Sequence, residues 1–332
     1  MPRPRASSIT PSHTIAGGRI TLHGSDFGVG PTLPVVHIGT SAARVVFASE
    51  DELGLIVPTT EAGLLPVRME GVDGGCVVDV GVPLATGLHQ VDNPVFDALG
   101  NLYVTYSGTR GQQVPVSIFK VTPAGARESF SSDVTNPTSM ALDPDGTLFV
   151  SSRFEGAVYR LADDGSAELF ASDLGVACGL AFAPDGTLFV GDRSGTVFEV
   201  ARNGSARAFA TLPASVAAFH VALGADGLYV TGPTLSASDV VYRITFTGEV
   251  SISHRGFGRP QGMAIAPDGT LYVVEALAGV SGVYRLPVDA SPELVVSGPR
   301  LVGVAFGPAG DGILCSSDTA YRFASPLHTR TL

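Results

Sequence analysis

An Asp-Gly dipeptide returns at a near-constant interval along most of this 332-residue chain. It sits in Leu142-Asp-Pro-Asp-Gly-Thr-Leu-Phe-Val150, Phe182-Ala-Pro-Asp-Gly-Thr-Leu-Phe-Val190, Leu223-Gly-Ala-Asp-Gly-Leu-Tyr-Val230 and Ile265-Ala-Pro-Asp-Gly-Thr-Leu-Tyr-Val273. Asp145, Asp185, Asp226 and Asp268 are therefore about 40 to 42 residues apart, a period that belongs to repeat architectures. Weaker copies at Phe96–Val104 and Phe306–Leu314 bring the units to six. In each unit an apolar strand enters a tight turn in which glycine accepts a positive φ. A second apolar strand follows, then a third such as Ala157–Arg160 or Thr196–Glu199, and a fourth such as Ala167–Ala171. Four short strands per unit describe a propeller blade, which buries both faces only between neighbours in a ring. The spacing predicts an all-β chain with a six-bladed β-propeller over 82–332. Val82–Thr86 resembles the fourth strands and is expected to close the last blade. The tail at 325–332 is the competing candidate.

Residues 1–81 do not follow the repeat. Short alternating runs (Arg19–His23, Val35–Ile38, Ala43–Phe47, Leu53–Val57, Leu65–Met69 and Cys76–Val80) predict a small Ig-like β-sandwich. Hydrophobic residues make up 45% of the chain and charged ones 15%, which excludes charge-rich disorder over most of its length. A net charge of -11 without a basic patch argues against a nucleic-acid partner. No apolar run is long enough for a membrane span. Met1-Pro-Arg-Pro-Arg5 lacks the apolar stretch of a secretory signal, so a cytoplasmic location is expected unless a leader has been removed. Cys76, Cys178 and Cys315 are too far apart for a CxxC metal pair and too few for a disulfide framework.

Ile9-Thr-Pro11, Ala16-Gly-Gly18, Ile20–Phe27, Val36-His-Ile-Gly39 and Ile56-Val-Pro58 resemble the IPT/TIG immunoglobulin-like domain. That resemblance implies a spacer or interaction module. The Asp-Gly-Thr-Leu-Tyr-Val units resemble the six-bladed propellers that include NHL-repeat proteins and the gluconolactonase/senescence-marker family. Asp92-Asn-Pro94-Val-Phe96 is similar to the Glu-x-Pro-x-Trp with which gluconolactonase-like enzymes open. Pro137-Thr-Ser139, Ala177-Cys-Gly179 and Pro260-Gln-Gly262 stand where that family has Pro-Asn-Gly.

Counting back from each Asp-Gly turn gives six innermost positions: Asp92, Thr138, Cys178, Phe219, Gln261 and Val302. The resemblance implies a divalent ion there, usually calcium, held by an acid, an Asn and an Asp, which polarises a lactone carbonyl. Asp92 keeps the acid and is the candidate metal ligand. Cys178 and Phe219 stand where the other two ligands belong, and they are poor partners for a hard ion. Whether Asp92 binds a ligand or only hydrogen-bonds at the mouth stays open. Asn93, Asn136, His220 and Arg259 neighbour this ring. Arg153, Asp192, Arg193 and Glu275 follow the second strands, with Tyr106 behind them. Arg153, Arg193 and Arg259 are candidates to clamp an anion, although Arg153 and Asp192 would also make an ordinary inter-blade ion pair. Cys178 with His220 is a candidate nucleophile–base pair, against the reading of Cys178 as core filler. His13, His23, His37 and His89 read as incidental, and His254 and His328 as surface residues.

Three functions compete. The resemblance implies a hydrolase of lactones or small esters at the channel mouth. A non-catalytic NHL-type binding propeller with an IPT/TIG adaptor is the second. A lyase or isomerase using Glu275, His220 and the arginines is the third. The expected partner is a small molecule, a lactone or an anion.

Overall fold

The computed structural model describes residues 4–28, 30–72, 75–288, 290–308 and 310–327. His328 lies outside them. Among the described residues all regular structure is β, and no helix is long and apolar enough to cross a membrane.

The repeats fold as antiparallel four-stranded sheets. The first contains Val95–Phe96, Leu102–Thr105, Ile118–Val121 and Arg127–Ser131, in that order. Sheets at 137–171, 177–211 and 220–257 repeat the pattern. Gly146, Gly186 and Gly269 turn the chain at φ of 85, 86 and 85°, where a side chain would be strained. The second strands Leu148–Ser152, Leu188–Asp192, Leu271–Glu275 and Gly312–Ser316 are buried at every residue, because each lies between two neighbouring sheets. Consecutive repeats share apolar clusters, such as Phe149 and Val158 with Leu180, Leu188 and Val190.

Five of the four-stranded sheets stand alone. The fifth repeat along the chain, expected as a free blade, does not. Its strands Pro260–Ile265, Leu271–Glu275, Gly282–Leu286 and Glu293–Ser297 pair in order, but the sheet runs on through His13–Thr14 into the sandwich and counts 12 strands. His13–Thr14 is a parallel splint: it pairs with Asp79–Val80 on one side and Val296–Ser297 on the other. The backbone bonds Ile15 N–H to Ser297 O at 3.0 Å and Asp79 N–H to Ser12 O at 2.8 Å continue it. The outer edge of this repeat is thereby covered, which removes an open strand edge.

The innermost strands touch in the cyclic order Val95–Phe96, Pro137–Leu142, Ala177–Phe182, His220–Gly224, Pro260–Ile265, Leu301–Phe306 and back to the first. The last sheet orders Leu301–Phe306, Gly312–Ser316, Thr319–Arg322 and then Val82–Thr86, with Thr319 opposite Thr86 and Arg322 opposite Val82. Its outer strand thus comes from the start of the propeller rather than from the chain's end. Ala85 and Leu88 pack with Leu102, Val104, Ile313, Cys315 and Ala320 across this seam.

The sandwich core forms from alternate residues of its strands. Ile20, Leu22, Leu53 and Leu55 meet Val36, Ile38, Val67 and Val78. Ser41–Ala48 pairs with both Val36–Ile38 and Glu52–Ile56 and so links the two layers. Arg5–Thr10 and His13–Thr14 form two further strands beyond the sequence-derived set.

Candidate functional site

Asp92 precedes the first inner strand and His220 opens the fourth. Asp92 Oδ1 and His220 Nδ1 are 2.7 Å apart, and the side chains are 2% and 0% exposed. Two whole repeats separate the partners along the chain, so the bond crosses the middle of the ring. A carboxylate oxygen accepts, so the ring donates its Nδ1 proton to Asp92. Nε2 is buried and has no hydrogen-bond partner among the described residues. Asp92 Oδ1 also accepts the Asn93 N–H at 2.8 Å. Gln90 fixes this segment from behind: its amide donates to Asp92 O at 2.8 Å, and its oxygen accepts the Thr105 N–H at 2.8 Å. The approach is close because Gly303 lies opposite, where a Cβ would stand 2.6 Å from Asp92 O.

The other innermost positions supply little for a hard cation. Cys178 is fully buried, its thiol donates to Val176 O at 3.2 Å, and burial pushes its pKa up to about 12. It is therefore a neutral thiol, and its hydrogen bond goes to a backbone carbonyl rather than to His220. That removes the thiolate which Cys–His catalysis requires. Phe219, counted as an innermost position, instead packs beside Gly191 and Gly232 in the apolar cluster with Phe189 and Val221, and it is His220, one residue on, that reaches Asp92. Thr138 donates to Asn136 O at 3.3 Å, and Gln261 to Pro260 O at 3.1 Å. Among the described residues no three His, Cys, Asp or Glu side chains converge as a metal site. One carboxylate already bound to an imidazole, a thiol and a phenyl ring do not fit a calcium ion.

Several polar residues read from the sequence as chemistry hold backbone instead. Glu275 accepts the N–H groups of Gly258 at 2.7 Å, Arg259 at 2.9 Å and Leu277 at 2.6 Å. Both its oxygens are engaged by this loop, so it is not an acid or base presented to His220. Asp192 accepts Val176 N–H at 2.7 Å and the Ser194 hydroxyl. It forms no ion pair with Arg153. Asn136, at φ 50°, accepts Gly111 N–H at 2.6 Å and donates to Thr109 O at 2.7 Å and to Ser107 O, pinning the 107–111 loop. Asn93 staples the ring: its amide donates to Met263 O at 2.5 Å, and its oxygen accepts Val304 N–H at 3.0 Å. These acids and amides satisfy loop N–H groups that burial would otherwise leave unpaired.

The arginines differ among themselves. Arg193 and Arg259 are exposed, whereas Arg153 is half-buried. One neighbour, His89, read as incidental in the sequence, stands beside Tyr106 here. His89 bridges Tyr106 through the backbone and meets its ring edge-on, with centroids 5.9 Å apart. Burial and then the Arg153 charge hold the His89 pKa below its ordinary value, so His89 belongs to the same mouth. The repeat could have revealed it, since His89 lies just before the first inner position. A separate groove of about 1000 Å³ lies on the Asp-Gly-turn side, between the 220–257 and 260–297 repeats. It is remote from Asp92, and its Asp226 is paired with Arg243 at 2.8 Å.

Residues 4–81 match the IPT/TIG domain family. No curated protein matches the chain in sequence. Among solved structures, an auxiliary nutrient binding protein from Bacteroides ovatus is similar with a TM-score of 0.56 at 14% identity, over 97% of this chain and 98% of that one. A gluconolactonase from Xanthomonas campestris has a TM-score of 0.60 at 14% identity, over 89% and 99%. Virginiamycin B lyase from Staphylococcus aureus has a TM-score of 0.52 at 14% identity, over 73% and 97%. At such identities the likeness is one of fold.

Proposed function

We propose that this chain is a non-catalytic ligand-binding propeller with an IPT/TIG adaptor, its ring made of six blades with 260–297 as the fifth. The cyclic contact of six inner strands supports the blade count. The binding reading rests on one observation above the rest: the buried Asp92–His220 bond occupies the centre where a gluconolactonase-like protein would hold its metal. The likeness to a nutrient-binding protein over nearly the full length of both chains supports the same reading.

A second reading has one observation in its favour. A histidine held at Nδ1 by a carboxylate, with Nε2 unpartnered, is the arrangement of a general base. It would serve metal-independent lactone hydrolysis or elimination. His220 is 0% exposed, however, so a substrate reaches it only if the mouth opens.

Hydrolysis of sugar and aliphatic lactones, followed by a pH indicator with calcium and with chelator, separates the readings. The binding propeller gives no turnover in either arm. Turnover abolished by chelator would restore the metal hydrolase. Turnover indifferent to chelator and lost in His220→Gln would establish the acid–base reading.

A further inference from the structure

Arg153 and Arg193 occupy the same register of adjacent repeats. Each follows the last residue of a second strand, Ser152 opposite Pro137 in one repeat and Asp192 opposite Ala177 in the next. The other repeats place Ser107, Pro233, Ala276 and Ser317 at this position. Two cations thus gather on one side of the mouth of a chain whose net charge is -11. Among the described residues neither guanidinium has a carboxylate within ion-pair distance.

The nearby acids are engaged elsewhere. Asp192 serves Val176 N–H and Ser194, and Asp92 serves His220 and Asn93. Cys178 is close enough to influence Arg153 but offers no counter-charge, because burial keeps its thiol neutral. Burial and the charge of Arg193 both press the Arg153 pKa downward, and His89 next to it is held toward its neutral form. A guanidinium half out of water and beside a second one is unfavourable without an anion. Arginine's planar fork matches a carboxylate or phosphate through two parallel hydrogen bonds.

We propose that Arg153 and Arg193 form a binding site for a small oxyanion, a carboxylate or a phosphate, at the channel mouth, with His89 and Tyr106 as its wall. This deepens the binding reading above by naming the ligand class and the residues that select it.

Thermal-shift titrations of the full chain at constant ionic strength test it, with gluconate as the carboxylate probe, inorganic phosphate as the phosphate probe and glucose as the neutral control. The expected result is a saturable rise in Tm with gluconate or phosphate and none with glucose. Whichever anion acts identifies the class. Arg153→Met should weaken that binding at least about tenfold, the loss of a charge-assisted bidentate contact, while Arg160→Ala, at a surface arginine paired with Glu168 on the third strand of its repeat, leaves it unchanged. Without anion, Arg153→Met should melt no lower than the parent, because an unneutralised cation has been removed. No saturable shift with either anion, or an unchanged shift in Arg153→Met, would overturn the site. Lactone turnover by the same preparation would sink the non-catalytic reading and leave the anion site standing.

Discussion

Asp92 and His220 form a buried pair across the ring. A buried pair that loses one partner leaves an uncompensated polar group, at a cost of about 3–5 kcal/mol. Asp92→Ala and His220→Ala are each expected to lower stability by that order in denaturant melts. The double variant should lose much less than their sum, because the two side chains act as one unit. Glu275 makes a second case. It accepts three backbone N–H groups, so Glu275→Gln should cost about 2 kcal/mol of stability, in the range of hydrogen bonds to charged groups. The repeat made the mouth positions countable from the sequence; Asp92 fell on one of them and His220 one residue from another, Phe219. Their pairing was not legible, because it spans repeats that touch only through the ring. Glu275, Asp192, Asn93 and Asn136 looked like chemistry for a related reason. Polar residues at a propeller mouth serve ligands or loop backbone, and only the bond partners tell these apart.

Inner strands approach each other backbone to backbone, and glycine makes that approach possible. At Gly303 a Cβ would meet the fixed carbonyl of Asp92 at 2.6 Å, so Gly303→Ala is expected to cost about 1–3 kcal/mol as overpacking. The closing seam depends on Val82–Thr86 in the same way. Ala85 is 6% exposed opposite Ala320, and Ala85→Asp would place an unpaired charge in the cluster that joins the last sheet to the first. A cooperative melt shifted down by several degrees is the expected outcome, and an unchanged melt would show that the seam contributes little. The strands of the repeat were legible because turn chemistry and apolar pattern agreed at each unit. His13–Thr14 was not, since two residues have no periodicity and their pairing is parallel to partners far away in sequence.

That two-residue splint makes one body of sandwich and propeller. His13 sits at the weld: Nε2 is 3.0 Å from Ser325 Oγ and 4.0 Å from Asp79, with the Phe323 ring edge-on at 5.4 Å. Burial holds its pKa below the ordinary value of 6.5, against the opposing pull of Asp79. The unfolded chain therefore takes up this proton at higher pH than the folded one. Stability from His13 is full above about 6.5 and declines as pH falls through the lower folded value. Melting temperatures between pH 8 and pH 5 should fall more steeply for the parent than for His13→Gln.

On the binding reading proposed above, the Asp92–His220 bond stands at the centre of the ring in place of a metal. The imidazole resonances of His220, assigned by comparison with His220→Gln, report on that bond. A buried bond of this kind keeps its Nδ1 proton protected from exchange with water and unmoved by added calcium. An exchanging Nδ1 proton, or one displaced by calcium and restored by chelator, would contradict it.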